Sequence, residues 1–172
     1  LAASFYVQAL FYQRPYVEGC EEAARYLAQQ PDADVIYYQG ILNGNFIFFV
    51  RKFDPEKRRL VVREKLVADP RGYQTLHTPE EVDERFRQLG IRYAVVESRD
   101  FLPQLAVTHQ ALRSSGFELI KEIPIRTNDY RVAGIKLSIY RTRAPSSPTS
   151  TELEIPMVTL RYDLRLPLSR LA

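Results

Sequence analysis

A single cysteine, Cys20, and two histidines, His77 and His109, are all that this 172-residue chain offers as thiol or imidazole chemistry. One cysteine excludes a disulfide framework and a four-thiolate zinc site, and two histidines leave little for a metal centre. Long apolar runs are missing as well. None approaches the roughly 18 residues that would cross a bilayer. Lysine is sparse (Lys52, Lys57, Lys65, Lys121 and Lys136), so most of the positive charge is arginine. The net charge of +3 is mild, and acids are interspersed with the bases. That describes a solvated surface rather than the basic stripe nucleic-acid binding needs, so no nucleic-acid partner is expected. The chain begins with Leu1 and its only methionine is Met157, so it reads as an excised or processed piece.

What is present is globular. Hydrophobic residues make up 45% and charged residues 26%, which excludes disorder and collagen-like repeats. A chain of this length folds as one domain or at most two small ones, and buries roughly 70% of its unfolded surface without a staple.

Periodicity supplies the elements. Glu18 to Gln30 reads as a helix, because Cys20, Ala23, Ala24 and Leu27 fall on one stripe, and Pro31 stops it. A thiol on such a stripe is a small hydrophobe, so Cys20 is expected to be structural. Asp34–Tyr38 and Arg59–Arg63 read as strands, with a helix stripe of Phe46, Phe49, Val50 and Phe53 between them. Asp69-Pro-Arg-Gly72 is turn chemistry. Thr78-Pro-Glu-Glu81 opens a helix with an N-cap, a proline at the first helical position and an acid at the third; Gly90 ends it. Val82, Phe86 and Leu89 form its buried stripe, with Glu81–Arg85 and Asp83–Arg87 as i,i+4 pairs outside. Tyr93–Glu97 is a third strand, Pro103–Ser115 a helix and Phe117–Ile125 a fourth strand.

Helices alternating with short apolar strands predict an α/β fold. The expected arrangement is a three-layer, Rossmann-like or flavodoxin-like, mostly parallel sheet with helices on both faces. Val132–Tyr140 alternates and is expected to pair antiparallel with the strand before it. After a polar stretch at Ala144–Thr151, Val158, Leu160, Tyr162, Leu164, Leu166 and Leu168 occupy every second position, as in a half-buried strand. That strand is expected to return to the sheet or to the face of whatever precedes the domain. The division expected is a membrane-proximal segment at 1–15, an α/β domain at 16–143, a loop at 144–152 and a strand extension at 153–172. Tyr6, Tyr12 and Tyr16 suit a membrane interface, and an ordinary packed N-terminal helix is the alternative.

Catalytic signatures are absent: no phosphate-loop lysine motif, no Gly-x-Gly-x-x-Gly, no His-Glu-x-x-His and no Gly-x-Ser-x-Gly. Asp32-Ala-Asp34 has a spacing that can hold a divalent cation, but it leads into a strand, whereas open sheets bind ligands beyond strand carboxyl ends. It reads better as turn chemistry. The stronger candidate is the loop Gln39–Asn45, which follows the first strand and leads to a helix N-terminus. Gly40 and Gly44 permit close backbone approach, and Asn43 and Asn45 have capping side chains. Free amides there favour an anion or a sugar hydroxyl. Arg51, Arg63 and Lys65 are available to supply charge, and Glu97 ends the strand expected to face the same crevice. The candidate ligand set is therefore Gln39, Asn43, Gly44, Asn45, Arg51, Arg63, Lys65 and Glu97. A helix cap with surface arginines is the alternative, and a hydrolytic site of Glu97 with Asp100 or His109 has only spacing behind it. No catalytic residue, metal or cofactor is assigned.

The stretch Asn43-Gly-Asn-Phe-Ile-Phe-Phe-Val-Arg-Lys-Phe-Asp-Pro55, with Arg58–Lys65 after it, resembles a known family. It is similar to the C-terminal soluble domain of bacterial polytopic glycosyltransferases of the GT-C type, relatives of the protein O-mannosyltransferases and lipid A aminoarabinose transferases. Tyr16–Leu27 and Leu89–Glu97 share the likeness, which covers roughly residues 15 to 140. The resemblance implies a periplasmic α/β domain tethered by upstream membrane helices. It also implies a polyprenyl-phosphate-linked sugar donor handled by the membrane part, where the catalytic acid lies. On that expectation this domain is a non-catalytic accessory, its partner is the membrane-embedded part of the parent chain, and a glycan or lipid-linked sugar is its candidate ligand. The competing expectation is a freestanding small-ligand or nucleotide-binding module using Gln39–Asn45 as a phosphate cradle.

Overall fold

In a computed structural model, which describes residues 16–64, 76–99, 106–114 and 116–143 together with the strands at 152–157 and 162–167, apolar runs and amphipathic stripes assemble into a mixed α/β fold. The Leu1–Tyr12 stretch, Lys65, the Asp69–Gly72 turn, Asp100 and the polar stretch at 144–151 lie outside the described residues. The elements are β1 (Val17–Glu18), α1 (Cys20–Ala28), β2 (Val35–Gln39), α2 (Asn43–Phe53), β3 (Leu60–Arg63), α3 (Pro79–Gln88) and β4 (Tyr93–Glu97). There follow α4 (Ala106–Leu112), β5 (Phe117–Pro124), β6 (Arg126–Thr127), β7 (Lys136–Thr142), β8 (Glu152–Met157) and β9 (Tyr162–Pro167).

Five strands form the main sheet in the order β3-β2-β4-β7-β5. β2 pairs parallel with β3 and with β4, whereas β7 pairs antiparallel with both β4 and β5. The sheet is thus mixed, where the βαβ pattern predicts a mostly parallel one. The reason is the position of β7: it does pair with the preceding long strand as expected, but it also inserts between β5 and β4. β4, with every residue buried, is the apolar run expected of a central strand.

The alternation of side chains along β2 separates two hydrophobic clusters. Ile36 and Tyr38 pack with Cys20, Ala23, Ala24 and Leu27 of α1 and with Phe46 and Val50 of α2. Tyr37 points the other way, to Val82 and Phe86 of α3 and Ala111 and Leu112 of α4. Right-handed crossovers require this division. The β2–α2–β3 connection moves outward to one edge, while β3–α3–β4 returns past β2 to its other side. The winding direction reverses between β2 and β4, so their carboxyl ends flank a topological switch point, the usual ligand crevice of such sheets.

Local chemistry agrees with this frame. Thr78 and Glu81 form the reciprocal capping box that starts α3. Glu81 turns back to the amides of His77 (2.7 Å) and Thr78 (3.4 Å), while Arg85 bonds Gln88 at 3.4 Å. The capping role therefore replaces the expected Glu81–Arg85 pair. The Asp83–Arg87 pair forms at 3.3 Å. β9 hydrogen-bonds to β8 in a separate two-stranded antiparallel sheet rather than joining the main one.

Candidate functional site

Register brings the site together. Gln39 lies opposite Val96, so one step further Gly40 lies beside Glu97, the last residue of β4. Gly40 has φ +146°, a conformation L side chains rarely adopt, and a Cβ there would land on the Glu97 carboxyl carbon. The absence of that one carbon lets the Glu97 side chain reach under the loop.

There Oε1 of Glu97 accepts from the Leu42 amide at 2.7 Å and from the Tyr38 hydroxyl at 2.8 Å, and the Ile41 amide also acts on the carboxylate. Leu42 is the N-cap of α2, with no side-chain cap of its own. The acid thus does at a distance of 55 residues what a capping side chain does locally. Tyr38 is fixed in turn by stacking on Phe46, centroid to centroid 4.6 Å.

Glu97 is 1% exposed, and its Oε2 is buried with no hydrogen-bond partner among the described residues. Burial pushes its carboxyl above the ordinary range; bonds from Leu42, Tyr38 and Ile41 pull it back only in part, and the Glu64 carboxylate adds repulsion. Burial, then Glu97 itself, pushes Cys20 up to about 12 and holds Tyr38 high. Cys20 is therefore a protonated core thiol, as its stripe predicts. An acid raised in this way is the type used for proton transfer, but 1% exposure leaves it no surface to offer a substrate.

The other candidates scatter. Gln39 is buried and accepts from the Tyr37 hydroxyl at 2.8 Å. α2 begins at Asn43, earlier than its apolar stripe suggests, so Asn43, Gly44 and Asn45 lie in its first turn. Asn43 donates to the Gly40 carbonyl at 3.2 Å rather than capping α2, and Asn45 is exposed. A Cβ at Gly44 would meet nothing within 4 Å, so close approach is not what requires glycine there. Arg51 sits in the last turn of α2, about 12 Å along the axis from Asn43 at 1.5 Å per residue. There it donates to the Arg59 carbonyl at 2.8 Å and pairs with Asp54 at 3.6 Å. Arg63 lies opposite Tyr38 and pairs with Glu64 at 3.5 Å. The structure thus brings Gln39, Asn43 and Glu97 around Gly40 and leaves Arg51 away from them.

At the opposite end of the sheet, Asp32 accepts from the Tyr93 hydroxyl and from Arg141, both at 2.8 Å. Burial raises this acid, but the two bonds and the Arg141 charge outweigh it, and the carboxyl lies below its ordinary value. Tyr93 is pushed up to about 12 by burial and by Asp32. The Asp-x-Asp stretch is therefore structural at its first acid. Asp54, 3% exposed, accepts from the amides of Arg58 (3.1 Å) and Arg59 (2.7 Å). Arg59 also caps α1 through the Ala28 carbonyl at 2.8 Å. Nothing in the sequence pattern singled out Asp54, Arg59 or the Tyr38–Glu97 contact. The one available signal was an acid ending an otherwise apolar strand.

Among the described residues no group of three or more His, Cys, Asp or Glu side chains is arranged to hold a metal ion. No helix among them is long and apolar enough to cross a membrane. Searches by family model and against curated proteins give no significant match to this chain.

Proposed function

We propose that this chain is a non-catalytic accessory domain of a membrane glycosyltransferase that uses a polyprenyl-phosphate-linked sugar, held on the periplasmic face by the membrane part of its parent. The family side of this reading rests on the sequence likeness over roughly residues 15 to 140. The observation that carries the non-catalytic side is the filling of the switch-point crevice by Glu97, 1% exposed and bonded to the loop a phosphate would use. It weighs against the nucleotide-binding alternative, because that cradle already holds a carboxylate. The same reading takes the fold as a Rossmann-like three-layer sandwich, supported by the β3-β2-β4 order and the two clusters on opposite sides of β2. With Glu97 occupying the loop amides, a glycan or partner would be met by surface residues, and the exposed Ile41, before α2, and Phe48, midway along it, suit apolar contact.

The coding sequence upstream of Leu1 tests the parentage. Several spans of about 20 apolar residues, with an acid in the first outward loop, are expected; plain soluble sequence or a start codon there overturns the reading. The isolated domain is expected to turn over no lipid-linked sugar, and turnover would overturn the non-catalytic assignment.

A further inference from the structure

Doubly wound sheets present backbone amides to anions at the crevice where their winding reverses. In this chain the Leu42 amide and the Tyr38 hydroxyl converge on a single atom, and that atom is Oε1 of Glu97. The Ile41 amide acts on the same carboxylate. The arrangement exceeds an ordinary cap in two respects. The side chain is 1% exposed, and Oε2 is buried with no hydrogen-bond partner among the described residues. Among the described residues, the titratable groups facing it are Cys20 from α1, Tyr38 from β2 and Glu64 beyond β3, with Leu137 beside it on β7, and none of those acting most strongly on it is a cation. A buried carboxylate with an orphan oxygen is costly, and a glutamine or leucine of similar volume would fill the space at less cost. What leucine cannot supply is an acceptor oxygen at the head of α2, which the acid and its amide both carry.

We infer that Glu97 is a built-in ligand: the amides at the head of α2 form an oxyanion site that the chain's own carboxylate holds shut, and a free tetrahedral oxyanion enters only when that side chain is withdrawn. Gly40 is part of the device, since its missing Cβ admits the carboxyl group. This inference stands apart from the accessory-domain reading and survives whatever precedes Leu1.

The test is an amide-shift titration with inorganic phosphate at neutral pH on the wild type, Glu97→Gln and Glu97→Ala. Saturable shifts at Ile41 and Leu42 are expected in Glu97→Ala alone, with a rise in Tm of about 5 °C near saturation. Glu97→Gln should behave as wild type, because its amide still fills the space. Saturable binding at those amides in the wild type, or a folded Glu97→Ala that binds no phosphate there, would overturn the inference. Should Glu97→Ala not fold, Glu97→Ser, which also withdraws the carboxyl but keeps a small polar side chain, is titrated in its place with the same expected and overturning results. The Glu97 carboxyl carbon and the Leu42 amide proton should titrate together, with one midpoint above the ordinary 4.5. Independent titration of the two would overturn it.

Discussion

The two ends of the β2–β4 pair hold the same contact in different surroundings. At the amino end Tyr93 of β4 donates to Asp32 before β2, and at the carboxyl end Tyr38 of β2 donates to Glu97 of β4, both at 2.8 Å. Asp32 also has Arg141 at 2.8 Å and a side chain 24% exposed, and its carboxyl is lowered. Glu97 is sealed, with a second carboxylate rather than a cation among its strongest influences from the described residues, and its carboxyl is raised. A tyrosine hydroxyl therefore does not decide the direction. Water and a cation do.

The comparison breaks most severely at Gly40. Gly40→Ala both strains a backbone at φ +146° and drives a methyl into the Glu97 carboxyl group, so a loss of about 4 kcal/mol in urea unfolding is expected. Adding Glu97→Ala should return part of that loss; additivity within about 0.5 kcal/mol would show that the two residues do not share the space. Asp54→Ala extends the cation-paired side of the comparison. It leaves Arg59, only 17% exposed, without its carboxylate, and should cost about 3 kcal/mol by the same measurement. A loss below about 1 kcal/mol would place the pair among weak surface contacts.

Protonation sharpens the contrast with smaller effects of opposite sign. Glu97 binds its proton more tightly folded than unfolded, so its stabilising contribution is complete below 4.5 and is lost as pH rises through the raised folded value. Glu97→Gln should consequently gain on the wild type by about 1 kcal/mol above that window, seen as a widening gap between their stability–pH curves. A gap that narrows as pH rises would reverse the assignment. For Asp32 the contribution is present above its ordinary 3.8 and lost as pH falls through the lowered folded value. Asp32→Asn should cost about 0.5–1 kcal/mol at neutral pH, discounted for its partial exposure, and match the wild type in strong acid. A cost that persists in strong acid would mean that the hydrogen bond to Tyr93, not charge, carries the contribution.

Signals that depend on near neighbours in sequence were legible. The Cys20–Leu27 stripe, the Thr78 capping box and the Tyr93–Glu97 strand all follow from residues within a few positions of one another. Of the Gln39–Asn45 stretch read as a loop, only residues 40–42 connect β2 to α2, and Glu97 lies against them; Gln39 belongs to β2 and Asn43–Asn45 to α2. Strand order was not legible, because the alternation in β7 fixes which side chains turn inward but not which strands flank them. Nor was the filling of the crevice. It depends on a one-residue register between β2 and β4 and on the backbone angle of Gly40, neither of which leaves a periodic trace. The arginines illustrate the same limit. Arg51 was close in sequence to the loop, yet a helix of 11 residues carries it to the far end and into the Asp54 cluster.

The insertion of β7 between β4 and β5 has a consequence for synthesis of the chain. The ribosome releases β2, β3, β4 and β5 before the strand that joins the last two exists. Until Lys136–Thr142 emerges, β4 offers a bare edge carrying five residues that are all buried in the finished fold, and β5 has no neighbour in the sheet. A nascent chain stalled before Lys136 would present that edge to any passing strand, a ready template for aggregation. Between emergence of Glu97 and of Lys136 that side of β4 therefore stays without the strand that covers it in the finished fold.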